Sequence, residues 1–317
     1  MTIAELKRSM EGYLAVRDAL GFTNRAEKIL LPQFVKFVEE HRASGPIRAE
    51  LALQSACASG SRHGPSGQAG RLRVVRGFLA HLRTTVPEAE VPGFGLIAGP
   101  RRPQPYLFTP EQLEALLQAA SRLGPRGSLR PHTYRTLIGL LASTGLRIGE
   151  AIRLTIGDVQ LNLDPPRLQI RHTKFNKSRL VPIHPTTAAA LRHYAEQRRR
   201  LGYDGLAEAF FVSEQGTYLV RGIVWVAFRR LTRRLGLWPS DEGRRGPTLH
   251  SLRHSFAVNR LVNWYRAKLD VKALAPHLSI YLGHVHPQES YWYFTATPEL
   301  LSAAADRFEG YANGRAQ

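Results

Sequence analysis

The sequence predicts a mainly α fold with a small β-sheet or hairpin (α+β), divided into two domains. Three observations carry this expectation. The first ninety residues repeat apolar side chains at three- and four-residue spacing. A stretch rich in Pro and Gly, "VPGFGLIAGPRRPQPYLF" at 91–108, then breaks every period, as an interdomain linker does. Beyond it, two short β-type runs interrupt a chain that is otherwise helical in pattern. At 317 residues there is enough chain for two separate cores.

Residues 1–92 read as a helical domain. "IAELKRSMEGYLAVRDAL" and "RAEKILLPQFVKFVEEH" each place an apolar stripe on one helix face. "RAELALQSACAS" and "GQAGRLRVVRGFLAHLRTT" continue it across a polar break, "SGSRHGPSG". A bundle of about four helices with Arg-rich outer faces follows. Residues 93–108 form the linker, and 109–317 a second domain. That domain opens at "TPEQLEALL", where Thr109 can cap, Pro110 suits the first helical position and Gln112 completes a capping box. "HTYRTLIGLLASTG" reads as a helix stopped at Gly145, and "RIGEAIRL" as a short second one. "RLQIRHT" and "SRLVPIH" are strands of a hairpin joined through "KFNK". "TTAAALRHYAEQRRRLG", "RGIVWVAFRRLTRRLG" and "LHSLRHSFAVNRLVNWYRAKL" return to helix, and "TATPELLSAAADRFEGYANGRAQ" supplies a C-terminal tail helix.

Lys and Arg number 44 against 25 Asp and Glu, a net charge of +19. Such an excess calls for a polyanionic partner, and nucleic acid fits best, through phosphate neutralisation and counterion release. The basic residues run along the whole chain rather than in one juxtamembrane cluster, which disfavours a membrane surface. The N-terminus has no apolar h-region, and no apolar run reaches membrane-spanning length. Cys57 is the sole cysteine, so an intramolecular disulfide is excluded and a thiolate metal cluster disfavoured. A cytoplasmic protein of a cell without a nucleus is expected.

Several side chains are suited to work on a phosphate. Arg147, just after Thr-Gly at a helix start, offers a planar donor fork beside free backbone N–H groups, although it equally suits a solvated helix face. His250 and Arg253 stand three apart and share a helix face. His254 lies four residues from His250, but Ser251 stands where a zinc-binding histidine pair carries a glutamate, so His254 reads as structural. Lys174 and Lys177 sit in the hairpin connection, where one can reach a leaving oxygen or both can be solvated. Tyr291, Trp292 and Tyr293 in succession cannot share one helix face, so some pack and others do not. A tyrosine hydroxyl, with an unperturbed pKa of about 10, becomes a useful nucleophile only beside cationic donors.

The order of these elements carries more than any one of them. Arg147 in "TGLRIGE", a hairpin lysine, "HSLRH", "LGH" and a tyrosine nine residues after His284 resemble the tyrosine recombinase (phage integrase) family. The resemblance spans essentially the whole chain. "TKFNKSRLVPIH" and "GHVHPQESYWYFTATPEL" look most like the branch found in transposon-borne and integron-neighbouring recombinases. It implies a helical core-binding N-terminal domain that grips DNA and an integrase-type catalytic C-terminal domain. By the same resemblance Arg147, Lys174, His250, Arg253 and His284 are catalytic, Tyr293 is the nucleophile, and Glu150 supports its neighbours. Lys177 is the rival of Lys174, and Tyr291 of Tyr293. "VHPQES" after "LGH" departs from the family's usual Ser/Thr-rich connection but keeps the spacing, which leaves His286 as an extra histidine.

The activity so implied is site-specific recombination of double-stranded DNA through a 3′-phosphotyrosine intermediate, with no metal, ATP or other cofactor. It further implies a homotetramer on two DNA sites, with the tail helix docked on a neighbouring protomer, and room for companion recombinases. The alternatives are a catalytically silent DNA-binding protein of the same fold and a type IB topoisomerase-like enzyme. A metallohydrolase built on His277, His284 and His286 is a third, from a different class, disfavoured because the chain has no cysteine cluster.

Overall fold

The computed structural model describes residues 1–41, 45–58, 64–98, 104–171, 178–205, 207–239 and 246–284, with Tyr293, Ser302 and Ala305 as single positions. The connection 172–177, with Lys174 and Lys177, lies outside the described residues. So do Tyr291, His286 and nearly all of the tail. The chain forms two compact units, Met1–Arg102 and Pro103–Gln317.

Among the described residues of the first unit, four helices enclose one core: α1 Ile3–Ala19, α2 Glu27–Glu40, α3 Ala49–Cys57 and α4 Pro65–Leu82. Thr2 starts α1 with a capping box, its hydroxyl accepting from the Glu5 N–H at 3.2 Å while Glu5 accepts from the Thr2 N–H at 2.7 Å. The apolar stripes meet in Leu6, Leu31, Phe34, Phe78, Leu79 and Leu82, all essentially without solvent contact. Each such side chain stabilises the bundle by about 1.5–3 kcal/mol relative to exposure. Helix α4 begins at Pro65, earlier than its periodicity suggests, because Pro tolerates a first-turn position that lacks a helical hydrogen bond anyway.

The second unit holds α5 Pro110–Ser121, α6 Arg130–Thr144, α7 Ile148–Ala151, α8 Pro185–Arg200, α9 Arg221–Arg234, α10 Leu249–Arg266 and α11 Val271–Leu282. A three-stranded antiparallel sheet, β1 Val159–Gln160, β2 Arg167–Ile170 and β3 Arg179–Pro182, is ordered β1-β2-β3. Val159 and Val181 both pair with Leu168. Helix α6 runs through the core, where Leu137, Ile138 and Leu141 belong to one cluster with Leu116, Leu168, Leu191, Phe228 and Leu252. Phe108, at the end of the stretch predicted as linker, is buried in this same core. None of the helices described is long and apolar enough to cross a membrane.

Three details set up the site. The Thr109 capping box forms as expected, with both bonds to Gln112 at 3.2 Å. Gly145 ends α6 in the left-handed region at φ 64°, and a Cβ there would stand 2.6 Å from Phe256 Cδ1. Only glycine turns the chain so tightly beneath α10 and α11. Helix α11 was not assigned from the sequence; it carries an internal proline, Pro276, as α2 carries Pro32. The Asp270 carboxylate starts it by accepting from the backbone N–H groups of Lys272 and Ala273, at 3.0 and 3.2 Å.

Candidate active site

The sharp turn at Gly145 delivers Arg147 to the start of α7, where Glu150 closes back on it. The Glu150 carboxylate accepts from the Arg147 backbone N–H at 3.0 Å and from its Nη1 at 3.1 Å. The Arg147 fork also donates to the Gly283 carbonyl from Nη1 and Nη2, at 3.1 and 3.2 Å. From β3, Arg179 takes both Glu150 oxygens, Nη1 to Oε1 at 3.1 Å and Nη2 to Oε2 at 2.9 Å. Glu150 is thus a buried carboxylate shared by two guanidiniums, only 6% exposed.

Arg253 comes from α10 and is 1% exposed. Its Nη1 donates to the Gly145 carbonyl and its Nη2 to the Leu282 carbonyl, both at 2.8 Å. The Tyr293 hydroxyl lies close enough to help hold the Arg253 charge. Tyr293 is 2% exposed, and its ring stacks on His284 with centroids 6.0 Å apart and planes inclined by 13°. His254 flanks it at 5.6 Å and in turn meets His250 edge to face at 4.4 Å. Arg147, Glu150, Arg153, Arg221, Trp225 and His250 line an adjoining cleft of 780 Å³. Its charged rim is mostly cationic, as a phosphate site requires.

Burial sets the protonation of this cluster. Desolvation, aided by the neighbouring Arg253 and Arg147 charges, lowers His250 to about 4 and His284 to about 3. His254 falls to about 3 through desolvation and the nearby His250 and Arg253. All three are neutral imidazoles at neutral pH. Arg253 drops to about 10, chiefly by desolvation and then by Arg147, and stays a cation. Burial pushes the Glu150 carboxyl up, but the Arg179 hydrogen bonds and charge, with those of Arg147, outweigh it and hold it below the usual range.

A stability profile follows. Below an unfolded pKa of about 6.5 the unfolded chain binds protons that folded His254 and His284 refuse until about 3, so stability falls as pH falls through that window. His250 is an exposed residue, so solvent screening leaves its lowered pKa little weight in the stability profile. Glu150 acts in the same direction: its contribution, present above the unfolded pKa, is lost as pH falls through its depressed folded pKa. Urea unfolding at pH 7 and pH 5 is expected to differ by about 2–4 kcal/mol, from roughly 1–2 kcal/mol per partly buried histidine. A flat profile between those pH values would mean that the imidazoles are solvated.

Comparison with known proteins identifies the family. The phage integrase family model matches residues 107–299, which is most of the second unit. The chain belongs to the phage integrase family. It is a site-specific recombinase, and similarity runs along its whole length. A protein of Sinorhizobium fredii named as an integrase/recombinase, y4rB, is 40% identical over 312 residues, covering 97% of this chain and 98% of that protein. A tyrosine recombinase XerC of Herpetosiphon aurantiacus is 30% identical over 302 residues, covering 90% and 92%. Among solved structures, the XerH site-specific recombinase bound to palindromic difH substrate in a post-cleavage complex has a TM-score of 0.68 at 19% identity, covering 97% of this chain and 85% of that one. The Tn1549 transposon integrase in complex with transposon right end DNA has a TM-score of 0.65 at 19% identity, covering 98% and 100%. Both share the fold.

Within the recombinase, Arg147, Glu150, His250, Arg253, His284 and Tyr293 converge from α7, α10 and the segment after α11. Lys174 lies outside the described residues. His254, read from the sequence as structural, adjoins both His250 and Tyr293. Among the described residues no three His, Cys, Asp or Glu side chains are placed as a metal-ligand group. Arg179 was missed. Its signal was present: in "RLVPI" the arginine alternates in phase with buried Val181 and Ile183, while Leu180 points outward at 51% exposure. A charge on the apolar face of a strand needs a buried partner.

Proposed function

We propose that this recombinase cleaves and rejoins DNA strands with Tyr293 as nucleophile, through a 3′-phosphotyrosine intermediate and without metal or ATP. The observation that carries the reading is the seating of Tyr293 against Arg253 and His284, beside the cationic cleft of Arg147 and His250. The Tyr293 oxygen forms a bond to phosphorus as the bond from phosphorus to the 5′ oxygen breaks. Charge that develops on the non-bridging oxygens meets donors of Arg147, Arg253 and His284, fixed in place beforehand. Two of the five Arg253 donors go to backbone carbonyls among the described residues, which leaves the remainder for Tyr293 and phosphate. Lys174 protonates the leaving 5′ oxygen, and His250, neutral at pH 7, accepts or positions the tyrosine proton. The phosphotyrosine bond conserves the energy of the phosphodiester, so a partner 5′-hydroxyl can reverse the attack.

At 2% exposure, Tyr293 must be uncovered when DNA engages. The partner is a pair of double-stranded recombination sites, held by four protomers. The test is covalent trapping. A duplex from the flanks of the coding sequence, nicked so that the leaving fragment diffuses away, is incubated with the protein in EDTA and resolved on a denaturing gel. A protein–DNA adduct that forms equally with and without EDTA is expected. An adduct that required an added divalent cation would overturn the metal-free reading.

A further inference from the structure

The last turn of α11 offers three consecutive backbone carbonyls, and each is held by a different guanidinium. Arg179 donates from Nε to Tyr281 O at 2.9 Å. Arg253 donates from Nη2 to Leu282 O at 2.8 Å, and Arg147 from both Nη atoms to Gly283 O. His284 is the next residue. A helix C-terminus carries unpaired carbonyls and partial negative charge, so three cations there satisfy the backbone and hold the helix end in one place.

Arg179 differs from the other two. Its side chain is 11% exposed and does not line the cleft. Its Nε and both Nη atoms are engaged by Tyr281 and Glu150. It is therefore built to act on its neighbours rather than on a phosphate. By gripping Glu150 it fixes the carboxylate that orients Arg147, and by gripping Tyr281 O it ties α11 to β3. A second tie lies alongside, the Tyr281 hydroxyl donating to Pro182 O at 3.1 Å. The closeness of this arrangement also explains Gly283. Its φ is +70°, and a Cβ there would stand 2.5 Å from Arg179 Nη1. A side chain at position 283 would push out the guanidinium as well as strain the backbone.

We propose that Arg179 is a positioning residue of the recombinase site: it sets the end of α11 against α7 and so holds Arg147, Arg253 and His284 at a common distance from the scissile phosphate. The proposal rests on the strand-cleavage reading for its kinetic consequence, but its structural consequence can be measured without cleavage. Full-length Arg179→Gln and Arg179→Lys are compared with wild type by hydrogen–deuterium exchange, DNA affinity and single-turnover adduct formation on the nicked duplex.

In Arg179→Gln, exchange protection of residues 279–284 falls by about 10-fold while α6 is unchanged, as expected for local rather than global opening. Adduct formation slows on the order of 10²-fold at saturating DNA, the cost of a misplacement near 1 Å, with DNA affinity unchanged. Arg179→Lys, which folds more readily but keeps only part of the fork, is intermediate in both readouts. Adding Glu150→Gln to Arg179→Gln slows cleavage little further, because both act through Arg147. Unchanged protection at 279–284 overturns the proposal. So does loss of protection spread evenly over the second unit, the mark of a merely structural arginine. If wild type itself forms no metal-free adduct, the cleavage reading fails, and the exchange pattern alone still upholds or overturns the positioning role.

Discussion

Tyr293→Phe is expected to form no covalent adduct with DNA, while Tyr291→Phe forms it at the wild-type rate. The loss is complete rather than graded, because phenylalanine has no oxygen to bond to phosphorus. The substitution is otherwise small. The ring keeps its stacking on His284 at 6.0 Å and its packing in the cluster with Ala257, Leu261 and Leu282. What goes is the hydroxyl's interaction with Arg253, worth about 1 kcal/mol of stability. Urea unfolding and DNA affinity should therefore move little while the adduct disappears. That split separates a nucleophile from a core tyrosine, whose loss would lower stability and leave cleavage per folded molecule intact. An adduct that survives Tyr293→Phe and vanishes in Tyr291→Phe would shift the nucleophile by two residues and break the nine-residue spacing from His284.

The sequence made the helices legible wherever one rule sufficed. The stop at Gly145 and the start at Thr109 each rest on local chemistry, an αL glycine and a reciprocal cap. Helix α11 went unassigned: like α2 it carries an internal proline, Pro276, but it is shorter, and the packing of Leu278 and Leu282 that supports it is a tertiary property. The candidate site shows the same division. Arg147, His250, Arg253, His284 and Tyr293 were named from the order of their motifs, and the fold brings them together from distant positions. Their partners were not nameable that way. The Gly145, Leu282 and Gly283 carbonyls that hold the arginines are backbone groups, identical at every residue until the fold selects them. Arg179 stands between these cases. Its strand phase marked it as inward-facing, but its partner Glu150 is 29 residues away and had been read only as a support for its neighbours.

Arg253 is where the largest combined effect on stability and rate is expected. Arg253→Ala leaves the Gly145 and Leu282 carbonyls without their donor in a site only 1% exposed, and it also removes a charge that neighbours Tyr293. Each carbonyl so orphaned costs about 1–3 kcal/mol, together a large share of the stability of a domain this size. That variant cannot by itself separate folding from chemistry, and Arg253→Lys does. A lysine stem fills much of the same volume and its ammonium can satisfy one of the two carbonyls, so the unit should fold with a loss of about 1–3 kcal/mol. It cannot hold both carbonyls and still present a donor to the phosphate, because the planar fork alone spans the three directions. Adduct formation should slow by about 10²–10³-fold, the usual consequence of losing one fixed donor to a developing oxyanion. Protein that folds with no more than that loss of stability yet cleaves that slowly would place the Arg253 guanidinium on the transition state. If Arg253→Lys cleaved as fast as wild type, the guanidinium would serve only to tie α6 to α11, and the burden of charge stabilisation would pass to Arg147 and His284.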